Sequence, residues 1–205
     1  MSNIVKYNNK LFAINLNYQE LKSFKEVDKV SKLLKLNYGI CYTYTSIDSQ
    51  SIKQKKILTG LTDKKLAYCY CLSSLVAEKL KSGIFITDKL NISNDLDVAK
   101  KLYWVCIFQN NHVIASINLT EEIIIGGDEL FDQEQLIFLI KEYTKNFKVS
   151  IFNDLVDDSI LSFIDTKEKP LNNIVLTKIS NKYLIKKVSK DFSQKILASL
   201  FLILL

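Results

Sequence analysis

Residues Tyr103-Trp104-Val105-Cys106-Ile107-Phe108 form six consecutive apolar or aromatic positions, followed by Asn110-Asn111 and then His112-Val113-Ile114-Ala115-Ser116-Ile117. Branched and aromatic residues favour the extended chain, and asparagine tolerates the positive φ of a tight turn, so the segment predicts a β-hairpin. Ile123-Ile124-Ile125 is a third strand candidate, closed by Gly126-Gly127-Asp128. Asp132 with Gln135 three residues on has the form of a capping box. It opens a helix whose buried stripe would be Leu136, Ile137, Leu139, Ile140 and Tyr143. Val149-Ser150-Ile151-Phe152 reads as another strand, with a short second helix near Leu155–Phe163. The order β-β-β-α-β predicts an α/β fold of mixed sheets with helices packed on them.

The N-terminal part gives the same picture. Ile4–Tyr7 and Leu11–Leu16 flank Asn8-Asn9-Lys10, a second candidate hairpin. Leu21, Phe24, Val27, Val30 and Leu34 recur at helical spacing, with Lys22, Lys25, Lys29, Lys32 and Lys35 largely off that stripe. This predicts an amphipathic helix with a solvated face, and Gly39 suits its stop. Ile40–Thr45 reads as a strand and polar Ser46–Lys56 as a loop. Leu66–Cys71 fits a strand or a helix start equally. Leu72, Leu75, Val76 and Leu80 form a helical stripe ending at Ser82-Gly83, and Ile84-Phe85-Ile86 a short strand. Asn91–Asp97 reads as a polar connection. The two Asn-Asn hairpins are as well explained by the commonness of such turns as by internal symmetry.

Composition excludes several classes. At 48% hydrophobic and 24% charged, the chain can bury a core and is not wholly disordered. Five glycines and one proline exclude collagen-like and low-complexity architectures. All 28 basic residues are lysine, so no guanidinium fork is present to grip phosphate or carboxylate. One histidine excludes a His-rich metal site or a two-histidine mechanism. Cys41, Cys69, Cys71 and Cys106 each sit in apolar stretches, as reduced, buried thiols do. Cys69-Tyr70-Cys71 is not a C-x-x-C redox motif, and no second cysteine pair completes a zinc set.

The net charge is +6, and Lys178–Lys195 alone holds six lysines against Asp191. On that arithmetic the rest of the chain is nearly neutral, which argues against a nucleic-acid face. Ile196–Leu205, ILASLFLILL, carries no charge. Ten residues cannot cross a bilayer, which needs about 20. Either a transmembrane helix begins here or an apolar tail docks on the domain or a partner. The preceding lysines favour the helix, because cytoplasmic flanks of membrane helices are lysine-rich. Met1–Lys10 lacks the apolar core of a signal peptide. The organisation expected is therefore a cytoplasmic α/β domain over 1–170, a basic juxtamembrane connector over 171–195, with Lys186, Lys187, Lys190 and Lys195 next to the membrane, and the start of a transmembrane helix over 196–205.

Little here points to catalysis. His112 has no recognisable nucleophile motif to serve. Gly126-Gly127-Asp128 lacks the glycine spacing of a phosphate loop and suits a tight turn, with Asp128 and Glu129 complementing the next helix dipole. Glu121-Glu122 and Asp157-Asp158 are sequence neighbours, better suited to solvated loops than to a two-carboxylate site. Tyr38, Tyr42, Tyr44, Tyr68 and Tyr70 have period-2 spacing in two segments, giving either a half-buried sheet face or a partner-binding stripe.

The Ser73-Ser74-Leu75 helix, the Tyr103-Trp104-Val105 strand, the Asn110-Asn111 hairpin and the Gly127-Asp128 turn before a helix together resemble the accessory proteins of type IVb pilus assembly. With the basic-then-apolar end, the resemblance covers most of the chain. It implies an actin-like, ribonuclease H-like cytoplasmic domain similar to that of type II secretion L-type proteins. It implies a bitopic protein of the bacterial inner membrane that ties the cytoplasmic assembly ATPase to inner-membrane platform proteins, with self-association left open. It carries no catalytic residue, cofactor or metal. Lys22, Lys25 and Lys29 on the N-terminal helix are the candidate partner-binding residues, since an acidic partner face can dock there. The alternatives are a nucleotide-binding actin-like enzyme and a membrane-bound regulatory protein.

Overall fold

The computed structural model describes residues 3–7, 10–47, 53–90, 102–120, 138, 142, 150–156, 165–175 and 179–188. Ile196–Leu205, Lys190, Lys195, Gly126-Gly127-Asp128 and most of the expected 132–143 helix lie outside these residues. The two members of that helix that are described, Phe138 and Glu142, are helical and exposed. The fold is mixed α/β, mostly strands with few helices, and its strands form three sheets.

Chain contacts divide the protein into two units, one gathering 3–15 with 72–179, the other 16–71 with 180–205. In the first, β1 (Asn3–Tyr7) and β2 (Lys10–Ile14) form the expected hairpin, Tyr7 opposite Lys10. Its main sheet has the order β11-β10-β7-β8-β9. These strands are β7 (Gly83–Thr87), β8 (Leu102–Gln109), β9 (His112–Thr120), β10 (Ser150–Asp154) and β11 (Lys167–Glu168). β7 runs antiparallel to β8, and β8 to β9, whereas β10 runs parallel to both β7 and β11.

The β8–β9 hairpin turns through Asn110 and Asn111, with φ of 50° and 68°. This is the left-handed pair that a two-residue turn needs, and asparagine adopts it at low cost. β8 reads as an unbroken apolar run because both its faces are buried. Tyr103, Val105 and Ile107 pack with Ile84, Ile86, Ile151 and Leu155. The alternate residues Trp104, Cys106 and Phe108 are buried as well. α2 (Leu72–Leu80) lies on this second face, where the Cys106 thiol is 3.8 Å from the Ser73 carbonyl. The residues 72–77 of α2 are all buried, so its apolar stripe is wider than the four residues that periodicity marked. α3 (Leu171–Val175) follows Pro170.

α2 ends at Leu80, just before Ser82-Gly83, and Gly83 begins β7 at φ 152°. A Cβ there would lie 2.4 Å from the Ser150 carbonyl oxygen, so the parallel β7–β10 pair requires glycine.

The second unit is built on a sheet of order β12-β4-β5-β3. Its strands are β3 (Asn17–Leu21), β4 (Tyr38–Ile47), β5 (Lys53–Thr62) and β12 (Lys186–Lys187), and β6 (Tyr70–Cys71) is a further short strand of the unit. Neighbouring strands of the sheet are antiparallel. α1 (Phe24–Leu34) covers one face, packing Phe24, Val27 and Val30 with Leu21, Cys41, Ile57 and Val188.

Three boundaries differ from the sequence reading. Leu21 closes β3 instead of opening the helix. The helix stops at Lys35, with φ 56°, whose N–H bonds the Lys32 carbonyl while Leu36 N–H bonds that of Ser31. Gly39 instead lies in β4, where a Cβ would come within 2.3 Å of the Gly60 carbonyl oxygen. A lysine in the left-handed stop position is suboptimal, so Lys35→Gly is expected to stabilise the protein by about 0.5–1 kcal/mol. Urea denaturation followed by circular dichroism measures it. Finally, the expected loop at 46–56 is mostly ladder, Ile47 pairing with Lys53.

Candidate functional site: a lysine-rich unit

The expected connector contributes structure to the second unit. Asn181–Tyr183 forms a 3-10 turn with Ser180 as its cap, and β12 pairs Lys186 with Gly39 and Lys187 with Tyr38. Val188 N–H donates to the Asn37 carbonyl at 2.8 Å. Val188 thereby reaches the apolar cluster under α1, so α1 and the basic strand β12 belong to the same small sheet.

Lys22, Lys25 and Lys29 are all exposed, as are Lys186 and Lys187. α1 buries Val27 and Ser31, which turns Lys25, Lys29 and Lys32 toward solvent. Lys32 is held by Asp28 at 2.8 Å in an i,i+4 pair. Leu33, 80% exposed, stands among these lysines, four positions after Lys29. Glu26 accepts a hydrogen bond from Lys22 N–H at 3.0 Å and so fixes the start of the helix. The structure thus joins the two groups of lysines that the sequence separated, those of α1 and those near the chain end.

Charge is unevenly divided between the two units. The described residues of the second unit contain thirteen lysines and four acids, a net +9, against seven lysines and six acids in the first unit. The near-neutral body inferred from the linear sum is therefore not neutral locally. Its compensating acids fall elsewhere in the chain, many of them between Glu121 and Asp158.

The tyrosine stripe is partly spent within the unit. Tyr42 packs edge-on to Tyr183, ring centroids 6.3 Å apart. Tyr44 donates to Glu20, which also pairs with Lys56 at 2.5 Å. Burial, then the Glu20 hydrogen bond and charge, push the Tyr44 hydroxyl well above its ordinary range. Tyr18 and Cys71 lie in hydrogen-bond contact at 2.9 Å. Tyr68 is not part of this face: it is 78% exposed in a turn.

The four cysteines are buried, and none is in a disulfide. Burial pushes the Cys41 thiol up to about 12 and raises that of Cys69. Both shifts favour the protonated thiol over the nucleophilic thiolate. His112 starts β9, half-buried. Among the described residues no group of three or more His, Cys, Asp or Glu is arranged to hold a metal ion. No described helix is long and apolar enough to cross a membrane.

One polar cluster in the first unit had no motif to announce it. At the C-terminal ends of the parallel strands β7 and β10, buried Asp154 accepts from Lys89 Nζ at 2.5 Å and from Leu171 N–H at 2.8 Å. Thr87 Oγ1 donates to the Asp154 carbonyl, and Asn153 Nδ2 donates to Thr166 Oγ1. The Asp154 hydrogen bond, partly offset by burial, raises the Lys89 ammonium above its ordinary value. The pair is charge-matched and ties β7, β10 and the start of α3 together. No protein-family model, curated protein or solved structure matches the chain.

Proposed function

We propose that this protein is a non-catalytic scaffold of type IV pilus assembly in the bacterial inner membrane. Its cytoplasmic domain, actin-like in architecture, links the cytoplasmic assembly ATPase to the membrane platform. The observation that carries the reading is the concentration of exposed lysine on one small unit, with α1 and β12 presented by the same sheet. Such a surface attracts acidic partners from a distance and sets their approach. Lys25 and Lys29 offer an outward helical face for the ATPase, and Lys22, which precedes the helix instead of lying on it, is exposed beside its start. Lys186 and Lys187 lie where the chain heads toward Lys190, Lys195 and the apolar run Ile196–Leu205.

One observation favours a second reading, a nucleotide-binding enzyme. Thr87, Lys89, Asn153 and Asp154 gather at the carboxyl ends of parallel strands, where open α/β sheets commonly receive ligands. In this site, however, Lys89 and a backbone N–H already occupy the Asp154 carboxylate. Isothermal titration of the full chain with Mg-ATP separates the two. The scaffold reading predicts no binding heat at micromolar nucleotide and no turnover, whereas micromolar binding or hydrolysis would favour the enzyme.

A further inference from the structure

Far from the chain end in sequence, the turn 64–68 packs against the basic strand. Lys64 and Lys65 are exposed on a 3-10 turn that Asp63 caps by accepting Lys65 N–H at 2.8 Å. Tyr68 follows in the left-handed region, φ 66°. Its N–H donates to the Ile185 carbonyl at 3.0 Å, and Ile185 N–H returns a bond to the Cys69 carbonyl at 2.9 Å. Tyr70 bridges Leu184. The turn is therefore fixed beside Lys186 and Lys187, and Lys182, over the Tyr183 ring at 4.7 Å, belongs to the same stretch. The result is an exposed tyrosine on a turn that carries Lys64 and Lys65 and pairs through its backbone with the stretch that carries Lys182, Lys186 and Lys187.

Left-handed backbone is costly for an aromatic residue, and glycine or asparagine would serve the turn better. Tyr68 yet leaves its ring in solvent. An exposed tyrosine, with an apolar body and polar tip, on a lysine-bearing turn has the chemistry of the membrane–water interface. Lysine without arginine also suits lipid, since attraction to an anionic leaflet counts charges and needs no bidentate geometry. Ile196 follows eight residues after Val188, which keeps this patch within a short chain length of the apolar run.

We infer that Lys64, Lys65 and Tyr68 join Lys182, Lys186 and Lys187 in a docking patch for an anionic bilayer surface. The inference deepens the membrane-anchored reading and rests on it. The test uses the full chain, co-sedimented with phosphatidylcholine vesicles and with vesicles containing about a third phosphatidylglycerol. The wild type is expected to prefer the anionic vesicles about tenfold or more, and less as salt rises. The double variant Lys64→Glu/Lys65→Glu should lose about tenfold of anionic binding. Tyr68→Gly should lose several-fold while raising the melting temperature, the opposite of what a structural role predicts.

Neutral-vesicle binding reports the apolar run and should stay unchanged in these variants. Variants that bind anionic vesicles like the wild type, or a wild type with no anionic preference, would overturn the patch. Loss of neutral binding together with a mutation-sensitive anionic preference would reject the membrane helix and support the patch.

Discussion

Trp104→Ala is expected to destabilise the protein by about 3–5 kcal/mol, the range for removing a fully buried aromatic side chain. That is a large share of the roughly 5–15 kcal/mol that holds a typical domain together. Trp104 is fully buried in the middle of β8, edge-on to Phe85 with ring centroids 6.0 Å apart. Its Nε1–H donates to Ser116 Oγ at 2.9 Å. Ser116 Oγ in turn donates to Asn15 Oδ1 at 3.0 Å and accepts Asn15 N–H at 3.3 Å. The indole thus fills the face under α2 and holds the end of the β1–β2 hairpin to β9. Trp104→Phe keeps most of the packing but loses the bond, so its expected cost is about 1–2 kcal/mol. Since Trp104 is the only tryptophan, both variants are compared by circular dichroism in urea. Equal, small losses in the two would show that the cavity and the Ser116 link contribute little.

The two hairpins were legible because each of their turns is announced by paired asparagines between β-forming runs, and the Asn110–Asn111 backbone takes the left-handed form those residues tolerate. The apolar run of β8 and the stripes of α1 and α2 likewise needed only local pattern. The distal β4–β5 ladder was hidden because Tyr44 to Ile47 face Lys53 to Lys56, a mostly polar set held by backbone bonds, so no apolar alternation marks it. The stop of α1 was misplaced because Lys35 fills a position for which the sequence offers glycine only later. The pairing of 16–71 with 180–188 is long-range, and no local rule reveals it. The charge segregation was missed for the same reason. A linear sum balances lysines at 22–35 and 53–65 against acids after Glu121, although the fold gathers the lysines with Lys182, Lys186 and Lys187. The outward face of Lys25 and Lys29 was readable from helical spacing alone, whereas Lys22 is exposed but lies before the helix, because β3 runs on to Leu21. The Lys64–Tyr68 turn could be recognised only once Ile185 was placed beside it.

Reversing the charge on and just before α1 is expected to have the largest effect on binding. Lys22, Lys25 and Lys29 are exposed, and surface substitutions of this kind each change stability by about 0.5 kcal/mol or less. Glutamate near the start of α1 also complements the helix dipole. Lys22→Glu/Lys25→Glu/Lys29→Glu should therefore fold normally. Each reversal exchanges an attraction for a repulsion against an acidic partner, worth about 0.5–1 kcal/mol at an exposed site. Together the three should weaken such binding at least about tenfold at physiological salt, mainly through the association rate.

The most direct measurement is the dissociation constant of the full chain with the purified pilus assembly ATPase, for wild type and triple variant, at low and high salt. A docking platform predicts salt-sensitive binding by the wild type and at least about tenfold weaker binding by the triple variant. No binding by the wild type, or equal affinity of the two proteins, would contradict it.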